Sequence, residues 1–263
     1  MEIMENPQDD GIILFRNVER IRKLHGDSAR ERFRAYEKAR AGFNPKAKKT
    51  LNVYSINSNG ELQGSNIFAR ALLDRMSLEG TRLGNLYNFL ELSDKLPDYL
   101  TGTYEDDNAV VLRSLEDPAR PANNYIAKTL AKKLEIKSFK YPAVITNLDI
   151  KDDERSEYGL IFVPTQSTKV IIASGLAGTN NERRFTLYNA NGMPIFNDDT
   201  DKTGKRKVWT RDEGLSGLYL YGNLDLGSYD GYLADSSDGG RVVLVSGGAT
   251  AQNLIHGYTA KQK

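Results

Sequence analysis

The chain has 263 residues, enough to bury a hydrophobic core without covalent cross-links. It has no cysteine and only two histidines, His25 and His256. This excludes disulfides, thiolate metal sites and cysteine nucleophiles, and leaves few candidates for histidine-based chemistry. The 36 basic and 35 acidic residues nearly cancel, so the chain as a whole lacks the positive charge typical of a nucleic-acid-binding protein.

Residues 11–49 are basic and are predicted to be helical. Apolar residues recur at helical spacing from Ile13 to Leu24, and Ser28 followed by Glu31 has the pattern of a capping box that opens a second helix. The segment holds 12 Lys or Arg against 4 Asp or Glu. Two interpretations stay open, a nucleic-acid-binding surface or two surface helices with solvated charges. We favour the second, because acids are interleaved and no set of stacking aromatics accompanies the basic residues.

The middle of the chain is predicted to mix helices and strands, and the last part to be mainly strands. The predicted elements up to residue 140 are a strand over 51–56, a turn over 57–60, helices over 66–78 and 81–92, a strand over 109–113 and a helix over 117–134. Further strands are predicted over 143–148, 158–163, 169–173, 184–188 and 241–246, and a polar tail over 249–263. This order predicts the α+β class.

The sequence gives no signal for export or for a membrane span. No segment reaches the roughly 18 consecutive apolar residues of a transmembrane helix. The first ten residues are acidic, whereas a secretory signal begins with basic residues. We therefore expect no membrane span, and a cytoplasmic location by default, with association with a virion as an open alternative.

No group of residues predicts catalysis or metal binding. Residues 199–204 begin like a calcium loop, but the twelfth position is Thr210 instead of a bidentate glutamate. Neither histidine lies in a glycine-flanked nucleophile turn, and the paired glycines lack the Gly-Lys-Ser/Thr ending of a phosphate loop. We expect a protein that is not an enzyme and that uses no metal and no cofactor.

Residues 216–240, here called the leucine-framed segment, have an unusual composition. They use only seven residue types, and no Lys or Arg occurs between Arg211 and Arg241. Tyr, Ser, Gly, Asp and Asn fill the positions between five leucines, and Tyr, Ser, Gly and Asn are also favoured in antibody binding loops. The leucines, here called the leucine frame, are Leu218, Leu220, Leu224, Leu226 and Leu233.

The residue types between the leucines share a second property. Asn, Tyr, Asp, Ser and Gly are all encoded by triplets that adenine changes produce from an asparagine codon. The segment therefore has the composition expected from adenine-directed mutagenesis of asparagine codons. The absence of lysine fits this model, because no lysine codon is reached in this way, whereas the absence of arginine is not explained by it.

Residues 209–248 resemble the C-terminal variable region of diversity-generating retroelement (DGR) variable proteins, of the archaeal, nanoarchaeal type. The resemblance rests on Trp209–Leu215, the leucine-framed segment, and the strand-like run Gly240–Ser246. It implies a C-type lectin-like fold with a C-terminal variable region, preceded by N-terminal helices. In such a fold the leucines are buried and fixed, residues 241–246 form the closing strand, and the intervening side chains bind diverse, mostly protein, ligands.

The resemblance also implies a ligand-binding surface and a division of the chain. Tyrosines would be the aromatic anchors, and aspartates would favour a basic or polar partner. The implied domains are a basic helical segment over 1–48, a C-type lectin-like domain over 49–248 with its variable region at about 214–240, and a polar tail. The predicted ligand-binding residues are Ser216, Gly217, Tyr219, Tyr221, Gly222, Asn223, Asp225, Gly227, Ser228, Tyr229, Asp230, Gly231, Tyr232, Asp235, Ser237, Asp238 and Gly239.

The predicted function is therefore non-enzymatic binding of an unknown protein ligand through a hypervariable surface. Two alternatives stay open: a viral or cell-surface structural or receptor-binding protein without diversification, and a nucleic-acid-associated protein acting through the basic helices of 11–49. Calcium-dependent sugar binding is not expected, because the Glu-Pro-Asn and Gln-Pro-Asp signatures of true C-type lectins are absent. The fold also implies no catalysis, because the formylglycine-generating enzymes that share a subtype of it need cysteines.

Overall fold

The computed structural model describes residues 13–14, 20–76, 81–137, 139–179, 182–196 and 202–246 as a mixed helix-and-sheet structure. The helices are α1 (Gly26–Arg40), α2 (Pro45–Thr50), α3 (Ile67–Asp74), α4 (Leu86–Lys95), α5 (Pro97–Leu100) and α6 (Asn124–Lys133), with short 3-10 helices at Pro121–Asn123 and Ser174–Leu176. The strands are β1 (Ile13–Leu14), β2 (Arg20–Lys23), β3 (Ser55–Ile56), β4 (Leu62–Ser65), β5 (Thr81–Leu83), β6 (Glu105–Leu112), β7 (Ala143–Asp152), β8 (Leu160–Ile172), β9 (Arg184–Phe185), β10 (Leu187–Tyr188), β11 (Pro194–Ile195), β12 (Arg206–Trp209), β13 (Leu215–Leu220), β14 (Leu226–Gly227), β15 (Ser237–Arg241) and β16 (Val243–Ser246).

The largest sheet has the strand order β8-β7-β6-β13-β14-β12-β9. Strand β6 lies inside it, between β7 and β13, and both neighbours run antiparallel to it. Val110 of β6 packs in the cluster that contains Phe68 of α3, whereas Ala109 and Val111 pack in the cluster that contains Phe89 of α4. Because successive side chains of a strand point to opposite faces, β6 is covered by helices on both faces. The leucine-framed segment therefore begins in the interior of the sheet.

A second sheet joins the two ends of the described chain. Strand β16 lies between β2 and β5 and is antiparallel to both. The helix predicted from Ile13 to Leu24 is therefore wrong, because this stretch supplies β1 and β2. Ile21 and Leu24 are fully buried, with Ile21 opposite Val245. Their burial depends on a distant strand, which local periodicity cannot reveal.

The basic N-terminal region is part of the same core as the rest of the molecule. Leu24, Ala29 and Tyr36 share a hydrophobic cluster with Leu233 and Leu244. Helix α1 was predicted, although it begins earlier than expected and its N-cap residue makes no side-chain capping bond. The first part of the strand predicted over 51–56 is instead a turn after α2, and only β3 is extended there.

Two other predicted elements differ in type or extent. The helix predicted over 81–92 is wrong at its start, where β5 pairs with β16 and α4 follows only after the capping residue Asn85. The two strands predicted over 158–163 and 169–173 overlap one long strand, β8, which pairs with β7 across a register shift. Residues 247–263 and most of the stretch 197–204 lie outside the described residues.

Candidate ligand-binding surface

The leucine frame is on the inner side of the leucine-framed segment. Leu218, Leu220 and Leu226 are fully buried, Leu233 is 3% exposed, and Leu224 is half-buried with a left-handed φ of 68°. In β13, buried leucines alternate with half-exposed residues, as expected for a strand with one face on the core. The predicted burial of the leucine frame is confirmed for four of its five members.

A concave pocket of about 360 Å³ opens on the outer side of the segment. We call it the tyrosine pocket, because its walls include the four tyrosines predicted as anchors together with Tyr104. Eight of the predicted ligand-binding residues line it. They are Gly217, Tyr219, Tyr221, Tyr229, Asp230, Tyr232, Asp235 and Ser237.

The tyrosines form a connected aromatic cluster. The ring of Tyr221 lies 4.9 Å from that of Tyr219 and 5.7 Å from that of Tyr104, both edge-to-face, and 6.4 Å from that of Tyr229. The Tyr219 hydroxyl donates a 3.0 Å hydrogen bond to the Tyr221 hydroxyl. Edge-to-face packing stabilises such pairs beyond simple burial. Tyr229 and Tyr232 are 41% and 53% exposed, so they form the accessible rim.

Three carboxylates also line the tyrosine pocket: Asp106, Asp230 and Asp235. Burial raises the pKa of Asp106 to about 6, although the Ser65 hydroxyl donates a 2.7 Å hydrogen bond to it. Partial burial, and then the neighbouring charge of Asp230, raise the pKa of Asp235. Among the described residues, no ion pair neutralises any of the three. They are therefore the acidic groups that a ligand entering the pocket would meet.

Two buried amides hold the irregular part of the segment in place. Asn66 caps α3 through its side-chain oxygen, while its Nδ2 donates to the carbonyls of Leu233 and Asp235 at 3.0 and 2.8 Å. Asn123 donates to the carbonyls of Leu215 and Gly231 at 3.0 and 2.6 Å. Buried backbone carbonyls need such partners. The two amides therefore fix a stretch that has little regular secondary structure.

Ser216 and Ser228 were predicted to contact a ligand, and the structure corrects this prediction. Both are fully buried. The Arg113 guanidinium donates to the Ser216 hydroxyl at 2.9 Å and to the Ser228 hydroxyl and carbonyl at 2.7 and 2.8 Å. Burial lowers the pKa of Arg113 to about 9. The two serines accept hydrogen bonds from a buried guanidinium beneath the segment, and a ligand on the surface cannot contact them.

Three further predicted positions are also buried, for different reasons. The Asp225 carboxylate accepts hydrogen bonds from the backbone N–H of Lys207 at 2.7 Å and from the Asn223 side chain at 3.0 Å, and so closes the turn between β13 and β14. Gly227 lies under the tyrosine rings, and Gly231 lies against the Arg211 guanidinium. These three residues support the backbone and side chains of the exposed surface and are not themselves exposed to a ligand.

The remaining predicted positions lie beside the tyrosine pocket. Asn223 and Asp238 are exposed, and Gly222 and Gly239 are half-buried, but none of these four lines the pocket. They extend the exposed surface of the same segment.

Sequence reasoning missed the part of the pocket that comes from elsewhere in the chain. Ser65, Asn66 and Ile67 enter from the junction of β4 and α3, and Tyr104 and Asp106 from the start of β6. Two contacts bring these parts together: β15 pairs with β4, and Tyr104 forms a bridge to Gly240. The only local signal was the run of acids just before the apolar core of β6.

In comparisons with family models, curated proteins and solved structures, the chain matched none. Within the described ranges, no three His, Asp or Glu side chains come together in a way that could hold a metal ion. The helices described there are too short or too polar to span a membrane. The geometry of the tyrosine pocket is therefore the main structural indication of function.

Proposed function

We propose that this protein is a non-enzymatic binding protein that presents a retroelement-diversified surface on a C-type lectin-like scaffold. One observation carries the proposal. Four of the five frame leucines lie inside the fold, while eight of the predicted ligand-binding positions of the same segment line one exposed pocket. Side chains that contact solvent can vary without loss of the core. A segment with this arrangement suits diversification of a binding surface.

Three features support the C-type lectin-like scaffold. Four of the five frame leucines are buried, in line with what the resemblance implies. Helices α3 and α6 lie within the two helices expected over 66–78 and 117–134. Strand β16 occupies the place of the expected closing strand, since it follows the segment and pairs with β2 from the other end of the chain.

The glycines of the segment differ in how much room they leave for a side chain, and Gly231, a predicted variable position, leaves none, because a Cβ there would lie 2.1 Å from the Arg211 guanidinium. A Cβ added at Gly217, a predicted variable position, would meet nothing closer than Ile67 at 3.9 Å. A Cβ at Gly240, outside the predicted set, would lie 2.4 Å from the backbone oxygen of Gly64. At Gly227 it would lie 2.5 Å from the Tyr219 ring, so variation at 227 is coupled to the side chain at 219.

The gene provides the decisive test. If the proposal holds, codons between the leucines end in C or T, and a nearby template copy differs from the gene only at adenines of the template. A reverse transcriptase gene is expected beside them. A gene without this codon bias and without a template copy would overturn diversification and leave the alternative of a fixed receptor-binding or structural protein.

The nucleic-acid alternative gains no support from the structure. Part of the basic excess of 11–49 is used internally, because Arg30 pairs with Asp27, Arg40 pairs with Glu37, and the Lys46 ammonium donates to the carbonyl of Ser156. Salt-sensitive nucleic-acid binding by the whole chain would revive this alternative.

A further inference from the structure

We propose that the tyrosine pocket receives a single organic cation, the ammonium or guanidinium head of a lysine or arginine side chain that projects from a partner protein. This inference rests on the proposed function in one respect, that the surface binds a partner. It goes further by naming the chemical group that enters the pocket.

The first argument is charge. The tyrosine pocket is lined by three carboxylates, whereas no Lys or Arg is among its described lining residues. Arg70, the nearby buried cation, donates to the backbone oxygen of Asp106 at 2.7 Å and forms its ion pair with Asp74. Unpaired carboxylates in a partly desolvated hollow favour a cation more strongly than they would in open water.

The second argument is the aromatic wall. Five tyrosines line the pocket, four of them in one ring cluster. Aromatic rings attract cations through the negative charge of their faces, and cages of such rings recognise ammonium groups. Carboxylates alone would suit any cation, but a wall of tyrosines suits one with an organic, weakly hydrated head.

The third argument is size and spacing. A volume of about 360 Å³ is near the lower end of the range for small-ligand sites, about 300–1,000 Å³, which suits one side chain. The described Asp, Glu and His side chains form no group of three that could ligate a metal ion. Asp230 and Asp235 lie within hydrogen-bond reach of each other, and Asp106 is close enough to Asp235 to feel its charge, so one organic cation in the pocket would meet all three carboxylates.

A second hollow of the molecule provides an internal contrast. It has nearly the same volume, about 350 Å³, and is also lined by carboxylates, including Asp107 and Asp149. Three arginines line it as well, and Arg75 is ion-paired with Asp149. Because its charges are balanced internally, we expect no cation to bind there.

The affinity for a cation should depend on pH. Asp106 faces the Ser65 hydroxyl, Arg70, Asp107 and Asp235, and its pKa is raised to about 6. A carboxylate with a raised pKa is neutral below that value, so its attraction for a cation is present only above it. We therefore expect weaker binding at about pH 5 than at about pH 7.5.

The experiment is a titration of the full chain, followed by amide and side-chain NMR, with four probes: tetramethylammonium, N-acetyl-lysine amide, N-acetyl-arginine amide and N-acetyl-glutamate amide. Shifts at Tyr219, Tyr229 and Tyr232 are expected with the three cations and not with the anion. No shifts with any cation, or equal shifts with the anion, would overturn the inference.

Matched variants locate the effect. The double variant Asp230→Asn/Asp235→Asn keeps the shape of the pocket and should weaken cation binding about tenfold or more, because close charge pairs dominate such sites. Asp238→Asn, an exposed control outside the pocket, should change it by less than about twofold. Tyr229→Phe should retain binding and Tyr229→Leu should weaken it. Unchanged affinity in a correctly folded double variant contradicts the inference.

The two proposals can fail separately. A template copy in the gene without cation binding would preserve the diversified surface and remove the cation pocket. Cation binding in a chain whose gene has no template copy would do the reverse.

Discussion

The inner and outer faces of the leucine-framed segment come from the same short stretch of chain but have opposite chemistry. Inside, Leu218, Leu220 and Leu226 are fully buried. Outside, Tyr229 and Tyr232 are among the most exposed large side chains described. Under the proposed function, one segment separates folding from recognition: the inner face contributes the burial energy, and the outer face carries the side chains proposed to vary.

The largest loss of stability is expected from a substitution on the inner face. Leu218→Ala should lower the free energy of unfolding by about 2–5 kcal/mol, because the cavity adds to the lost transfer energy. Urea unfolding followed by circular dichroism measures this loss. The matched outer variant Tyr232→Ala, at a 53% exposed position, should cost less than about 0.5 kcal/mol. Equal losses in the two variants would abolish the distinction between the faces.

The next effect tests the serines that we assign to the inner face. Ser228→Ala removes a hydroxyl that accepts a 2.7 Å hydrogen bond from buried Arg113, and should cost about 1–3 kcal/mol. Ser236→Ala, at an exposed position, is the control and should be nearly neutral. Thermal unfolding of both variants decides the assignment. A neutral Ser228→Ala would return Ser228 to the outer, variable set.

A smaller effect concerns an acid beneath the segment. Glu105 lies opposite Leu220, is 1% exposed, and burial raises its pKa to about 8. A carboxyl with a raised folded-state pKa binds more protons when folded, so its favourable contribution is complete at low pH and is lost as pH rises towards about 8.

Glu105→Gln should therefore raise the melting temperature at about pH 8.5, by roughly 2–4 °C for each kcal/mol of relieved destabilisation. The same substitution should have little effect at about pH 5, where the carboxyl is neutral in the folded protein. Melting curves at the two pH values measure the difference. The same gain at both pH values would show that the effect does not come from ionisation.

The smallest effect is expected on the outer face. Gly217→Ala should change stability by less than about 0.5 kcal/mol or stabilise slightly, because the site is open and alanine restricts the unfolded chain. Gly240→Ala is the contrast and should be clearly destabilising, since its Cβ would meet the backbone of Gly64. Chemical denaturation of the pair tests whether the variable and fixed glycines are correctly divided.

The sequence predicted those features that depend on neighbours along the chain. The helix around Phe68 and the turn at 57–60, where the Gly60 N–H donates to the Asn57 carbonyl, are local patterns, and the structure has both. Strand β13 was not among the predicted strands, although its leucines were expected to be buried. The start of the chain was misassigned, because Ile21 is apolar in either type of element and only its pairing with β16 decides between them.

The sequence predicted only the part of the candidate site that comes from the leucine-framed segment. The composition of the leucine-framed segment identified the tyrosines, because both compositional signals lie within consecutive residues. Asp106 and Asn66 were missed, because a short run of acids at the start of a strand and a helix-capping asparagine are common features with ordinary structural roles. The buried serines were included wrongly, since composition cannot distinguish a hydroxyl that faces solvent from one that faces a buried arginine.

The position of β16 between β2 and β5 has a consequence for the order of events during synthesis. Strands β2 and β5 leave the ribosome long before the strand that joins them, so the edge of each that faces β16 has no partner during most of translation. Unpaired strand edges invite association with other chains, and contacts between distant parts of a sequence slow folding. We expect the growing chain to depend on protection by chaperones, and the sheet to close only after β16 has emerged.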